Sequence, residues 1–195
     1  MDALEAILTR RSTRRFSPDL PDTDLIGKVL DAGRHAPSGS NSQTTHLIVI
    51  TDGAVLKELA VLVQEEFAAM ELSEDMYISK KKSILASRNG NYVFHYNAPV
   101  LIVTANRKGY GNAMADSACV LENMMIPANA LDLGSCWINQ LHWLDESDSI
   151  RKALYGIGLK EEETVTGALA LGYALSGIPN RDPQKITGNP VTWVE

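Results

Sequence analysis

Four short runs of mainly β-branched and other apolar residues are separated by stretches of helical periodicity, and this alternation restricts the chain more than any other feature. The runs are His46-Leu47-Ile48-Val49-Ile50, Pro99-Val100-Leu101-Ile102-Val103-Thr104, Gly134-Ser135-Cys136-Trp137-Ile138 and the segment from Val165 through Gly167 and Gly172 to Tyr173. Each is too short for a core helix and reads as a buried strand. The fourth is rich in Gly and Ala, so something must approach it closely. Between the strands, three sets of apolar residues recur on helical faces: Leu25, Ile26, Val29 and Leu30; Leu56, Leu59, Ala60, Val63, Phe67 and Met70; and Ala118, Leu121, Met125, Ala128 and Leu131. No repeat or low-complexity linker interrupts the series, so residues 1–195 read as one domain.

Local signals refine the elements. Leu4, Ile7 and Leu8 give a short first helix one apolar stripe. Asp22 or Thr23 caps the next helix, which ends near Ala36 because Pro37 restricts its predecessor. Ser147 caps a helix containing Ile150 and Leu154. Pro127 falls inside a helical pattern and predicts a kink costing roughly 3 kcal/mol. Residues 71–91 show no clear period; Lys80-Lys81-Lys82 reads as a solvated face, with a mobile cover over a site as the alternative. The tail, residues 176–195, holds Pro179, Pro183 and Pro190 and cannot be a regular helix, yet ends in apolar Val191-Thr192-Trp193-Val194. Such a tail suits an arm reaching onto a second subunit.

Lys and Arg number 18 against 24 Asp and Glu, a formal charge of −6, which argues against nucleic acid or anionic lipid as a partner. An anionic ligand therefore needs a local basic cluster. Cys119 and Cys136 have neither metal-site nor redox-motif spacing and read as reduced thiols of a cytoplasmic protein. Asp2 and Glu5 argue against a secretory signal, and no apolar run approaches the ~20 residues of a membrane span. His35, His46, His95 and His142 lack ligand spacing, so no metal site is expected.

Two segments carry candidate chemistry. Arg10, Arg11, Ser12 and Arg14 form a dense donor cluster at a helix exit, suited to a phosphate; a solvated basic turn is the plain alternative. Ala36-Pro37-Ser38-Gly39-Ser40-Asn41-Ser42-Gln43 lets backbone and small side chains approach a flat, polar-edged ring, though it also suits an ordinary loop. Neither a nucleophile constellation nor a P-loop nor G-x-G-x-x-G is present, so no side chain is expected to be catalytic and a cofactor would carry the chemistry.

Taken together, Arg10-Arg11-Ser12-Thr13-Arg14, the Ala36–Gln43 segment, Ala98-Pro99-Val100-Leu101-Ile102-Val103 and the stretch from Asp116 to Trp137 resemble the nitroreductase family, whose motifs are R-[RH]-S-x-[RK] and A-P-S-x-x-N-x-Q. The resemblance implies an α+β fold with a central, mostly antiparallel sheet flanked by helices and a C-terminal arm extending onto the partner of a homodimer. It implies FMN as cofactor at the subunit interface, NADH or NADPH as electron donor, and a small electron-poor aromatic acceptor such as a nitroaromatic or quinone, reduced in ping-pong order. By position, Arg10, Arg11, Ser12 and Arg14 would hold the phosphate and pyrimidine side of the flavin. Pro37, Ser38 and Gly39 would come from the other subunit, with Asn41 supporting their loop. Asn91 would contact the ring, and the backbone of Asn139 and Gln140 would lie beside the reactive ring nitrogen. Arg181 or Lys185 would complete the phosphate site. The sequence departs from the family where Gln43-Thr44-Thr45 replaces Q-P-W and where Asn139 stands in place of the glutamate of larger members. Alternatives are a relative using the flavin for reductive dehalogenation or flavin-directed chemistry, and a non-enzymatic anion-binding protein.

Overall fold

All four expected strands form, and they join into a single antiparallel sheet. In the computed structural model, which describes residues 1–195, they are β1 (His46–Ile50), β2 (Val100–Arg107), β3 (Gly134–Ile138) and β4 (Glu163–Gly172), in the spatial order β1-β2-β4-β3. Seven helices surround them: α1 (Ala3–Thr9), α2 (Thr23–Arg34), α3 (Gly53–Ala69), α4 (Ile78–Arg88), α5 (Ala113–Ala130), α6 (Gln140–Trp143) and α7 (Asp148–Tyr155). No helix is long and apolar enough to cross a membrane.

The sheet is buried on both faces, which explains why its strands read as continuous apolar runs. Alternate residues feed different cores, as the two-residue period of a strand requires. Leu101, Val103, Ala105, Ala168 and Ala170 join a cluster with residues of α3, α4, α6 and α7, including Leu59, Phe67, Ile84, Leu141 and Leu154. Val100, Ile102, Leu169 and Leu171 join the opposite cluster, with Ile26 and Val29 of α2 and Val120, Leu121 and Met124 of α5. The result is a helix–sheet–helix sandwich. The register slips between Thr104 and Ala105, where the buried Thr166 hydroxyl donates to the Thr104 carbonyl at 3.0 Å.

The small residues of β4 are indeed closely approached. A Cβ built on Gly172 would lie 2.7 Å from the Pro99 ring and 3.2 Å from Phe16, so only glycine fits where the opening segment crosses the strand.

Three readings of the sequence need correction or completion. The stripe of α1 is not buried: Leu4 is 71% exposed, Ile7 and Leu8 are also exposed, and only Ala6 packs inward. Residues 71–91 contain an ordered helix, α4, whose inward residues are Ser83, Ile84 and Ser87; their polarity is why no apolar period showed. Within the lysine run Lys82 is exposed, but Lys80 and Lys81 are half-buried and Lys81 donates to the Glu74 carbonyl. Pro127 sits in the last turn of α5, which continues past it to Ala130. Asp52 caps α3 by accepting from the N–H groups of Ala54 and Val55. The Ser147 cap forms as expected, accepting from Ile150 at 3.3 Å.

Candidate flavin site

After α1, the chain runs as an extra short strand beside β3. Thr13 N–H donates to the Ser135 carbonyl at 2.8 Å, and Ser17 N–H reaches the Tyr173 carbonyl at 2.9 Å. The approach is so close that a Cβ on Gly134 would lie 2.7 Å from Thr13. This pairing fixes the arginine-rich segment along one side of an open cavity of about 490 Å³. It is lined by Arg11, Ser12, Thr13, Arg14 and Arg15 and, bonded alongside them, by Ala174 and Leu175, with Asn180.

The guanidinium groups differ in their commitments. Arg10 pairs with Glu122 at 3.6 Å, and Arg11 donates to the Asp182 carbonyl at 3.0 Å. Arg14 and Arg15 enter no ion pair; Arg14 lies over the Tyr96 ring, 6.0 Å from its centroid. Two unneutralised cations beside a cavity make its lining locally positive in a chain of charge −6. Beneath them, burial pushes the Cys136 thiol pKa up, while Arg14, Ser12 and Arg10 pull it the other way.

The second motif forms a different structure at the start of α5. Gly39 N–H donates to Asp116 Oδ1 at 3.0 Å, and the Tyr110 hydroxyl donates to Asp116 Oδ2 at 2.9 Å. Asp116 is buried, and these bonds satisfy a carboxylate that would otherwise be costly to desolvate. Within the loop, Gln43 N–H donates to Ser38 Oγ at 3.0 Å and the Gln43 side-chain amide to Asn41 Oδ1 at 2.9 Å. Ser40, Asn41 and Gln43 all have left-handed backbone, with φ of 52°, 52° and 49°. Such strain persists only where surrounding bonds hold it. Pro37 and Asn41 remain exposed.

Within one protomer the two motifs share no cavity. Arg10, the first of the arginines, pairs with Glu122, whereas Gly39 is held at Asp116, about 9 Å away along α5 at ~1.5 Å per residue.

The remaining candidates are placed as follows. Asn139 Oδ1 accepts from Trp137 Nε1 at 2.7 Å, and the Asn139 N–H donates to Gln140 Oε1 at 3.1 Å. Gln140 is buried and donates to the Tyr92 hydroxyl at 2.7 Å. Asn91 is exposed in the turn after α4 and does not line the arginine cavity. Arg181 donates to the Asn129 carbonyl at 2.8 Å and pairs with Asp132, while Lys185 is exposed and unpaired. Reading the sequence missed Asp116 and Tyr110 as supports of the second motif. An acid on the inward face of an apolar helix was the available signal, since a buried carboxylate needs donors.

The family model described as "Nitroreductase family" matches residues 7–173. The chain belongs to the nitroreductase family. A solved nitroreductase with bound FMN from Bacteroides fragilis is 32% identical, with both chains covered in full and a TM-score of 0.88. YdjA of Escherichia coli strain K12, provisionally named an NAD(P)H nitroreductase, is 29% identical over 178 residues, 88% of each chain. The nitrobenzene nitroreductase of Ectopseudomonas oleovorans is 24% identical across 90% of this chain and 88% of its own. The family match includes the arginine segment, the second motif and all four strands.

Proposed function

We propose that this nitroreductase-family chain is an FMN-dependent oxidoreductase of one domain and of the cytoplasm. It takes hydride from NADH or NADPH and passes it to a small electron-poor acceptor such as a nitroaromatic or quinone, in ping-pong order. The observation that carries the reading is the pair of uncommitted guanidinium groups, Arg14 and Arg15, beside the open cavity. The donor set fits the cofactor: arginines and the Ser12 hydroxyl suit a phosphate, and Ala174 and Leu175 offer an apolar wall. The FMN of the Bacteroides fragilis relative and the name of the Escherichia coli one support the same reading.

Bound FMN would accept a hydride from the donor and deliver it to the acceptor. The chain's part is binding and orientation. Arg10, Arg11, Ser12 and Arg14 hold the phosphate and pyrimidine side, with Lys185, the unpaired base of the tail, as the better candidate than Arg181 to join them. Backbone near Asn139 and Gln140 lies by the ring, where fixed donors stabilise the negative charge that builds on reduction, and Asn91 contacts the ring from the turn after α4. The acceptor binds after the nicotinamide leaves.

The site is completed in a homodimer, with Pro37, Ser38 and Gly39 supplied by the second subunit. Separation of the two motifs within one protomer supports this, as does the unburied stripe of α1. The tail supports it too: Trp193 is 83% and Val194 94% exposed, which suits an arm laid on the partner. The test is an FMN titration followed by flavin fluorescence. Arg14→Ala should weaken binding about ten- to a hundredfold, the worth of one charge-assisted phosphate contact. Unchanged affinity would overturn the phosphate assignment.

A further inference from the structure

The segment between α4 and β2 is tied to the turn at Asn139 by a directional chain of hydrogen bonds. Ser83 Oγ donates to the Ser79 carbonyl at 3.1 Å, one turn back in α4. Its proton is thereby committed, so in the 2.8 Å contact between Ser83 Oγ and Tyr92 OH the tyrosine is the donor. Tyr92 OH then accepts from Gln140 Nε2 at 2.7 Å. That leaves Gln140 Oε1 facing the Asn139 N–H, which donates to it at 3.1 Å. A flipped Gln140 amide would set two N–H groups against each other there, so one orientation alone satisfies the chain.

Ser83 and Gln140 are buried, which makes each bond costly to lose. Tyr92 is fixed independently: its N–H donates to Gln64 Oε1 at 3.1 Å, and its ring meets Phe67 edge-on at 6.3 Å. A second link runs parallel, from Phe67 to Trp143 of α6 at 6.5 Å and from Trp143 to Tyr77, ahead of α4, at 5.9 Å. Two separate sets of contacts thus join the α4 region to α6 and the residue that precedes it.

We propose that Tyr92 is a positioning residue which, through Gln140, fixes the Asn139 peptide beside the flavin and makes the α4 region and that peptide move as one unit. The inference rests on the flavin reading of the site. Its consequence is that a displacement of α4 alters the donors at the ring edge. Removing the Tyr92 hydroxyl leaves Gln140 Nε2 with only its longer bond to Ser83 Oγ at 3.4 Å, loosens the peptide and withdraws stabilisation from the reduced cofactor.

The experiment measures the two-electron potential of FMN bound to the full-length protein, by dye equilibration under anaerobic conditions, for wild type, Tyr92→Phe and Ser83→Ala. Tyr92→Phe keeps the ring packed on Phe67 and should retain FMN while shifting the oxidised-to-reduced ratio about tenfold, a fall of ~30 mV for a two-electron couple. Ser83→Ala, which leaves Tyr92 intact, should lower the potential by less and serves should Tyr92→Phe fail to fold. A flavin-loaded wild type whose potential neither variant moves overturns the tether alone. A wild type that takes up no flavin overturns the functional reading and the tether with it.

Discussion

Asp116 accepts the Gly39 N–H at 3.0 Å from the first turn of α5, and this bond connects the core helix to the strained loop of the second motif. The other carboxylate oxygen takes the Tyr110 hydroxyl, whose oxygen also lies 3.1 Å from Ser42 Oγ. One buried acid therefore organises both ends of the loop. Asp116→Ala leaves the Gly39 N–H and the Tyr110 hydroxyl without their acceptor. It should lower stability by about 2–3 kcal/mol, read as a smaller urea midpoint at unchanged m-value, with faster amide exchange at Gly39. Unaltered exchange would show that the loop holds its shape by itself.

Gly134 stands where the opening segment meets β3, and a Cβ there would lie 2.7 Å from Thr13. Gly134→Ala should displace Thr13, break its bond to Ser135 and cost about 1–3 kcal/mol, as overpacking does. FMN affinity should fall with it because the arginines lose their register. Pairing the change with Thr13→Gly removes the clashing side chain and should recover part of both losses. A single variant as stable as wild type would contradict the close pairing.

His95 supplies a pH dependence. Its Nδ1 is buried with no hydrogen-bond partner, and burial lowers the imidazole pKa, against the weaker opposing pull of the Ala98 and Leu56 carbonyls. A folded pKa below the unfolded value of about 6.5 means that the unfolded chain binds the proton first. The contribution is therefore fully present above about pH 6.5 and is lost as pH falls below it, by at most ~1.4 kcal/mol per pH unit. Thermal melts between pH 7.5 and pH 5 should show a steeper decline for wild type than for His95→Gln; parallel curves would contradict it.

The apolar tail gives a fourth prediction. Deleting residues 176–195 removes exposed Ile178, Ile186, Val191, Trp193 and Val194 together with Lys185. Sedimentation velocity should show a shift from dimer towards monomer, and FMN retention should drop. A truncated protein that stays fully dimeric would assign the interface to α1 and its surroundings instead.

The strands were legible because both sheet faces are covered, so Ile48, Leu101 and Leu169 all face apolar neighbours and the runs look unbroken. The arginine segment was legible because dense cations in an acidic chain call for an anion. What stayed hidden was decided by partners distant in sequence. α4 packs through Ser83 and Ser87 and leaves no apolar stripe. Asp116 takes its meaning from Gly39, 77 positions away. The stripe of Leu4, Ile7 and Leu8 was legible as a stripe, but its exposure was not. In each case the local sequence specified the element, and the tertiary contact specified its use.

The most direct test of the central claim is the absorption spectrum of freshly purified protein, followed by anaerobic addition of NADH or NADPH. A yellow protein whose flavin bands bleach on addition, and whose cofactor is released as FMN by heat, is the predicted result. A colourless protein that cannot be reconstituted with FMN would contradict it, and would leave the Arg10–Arg15 segment as a binding site for some other anion.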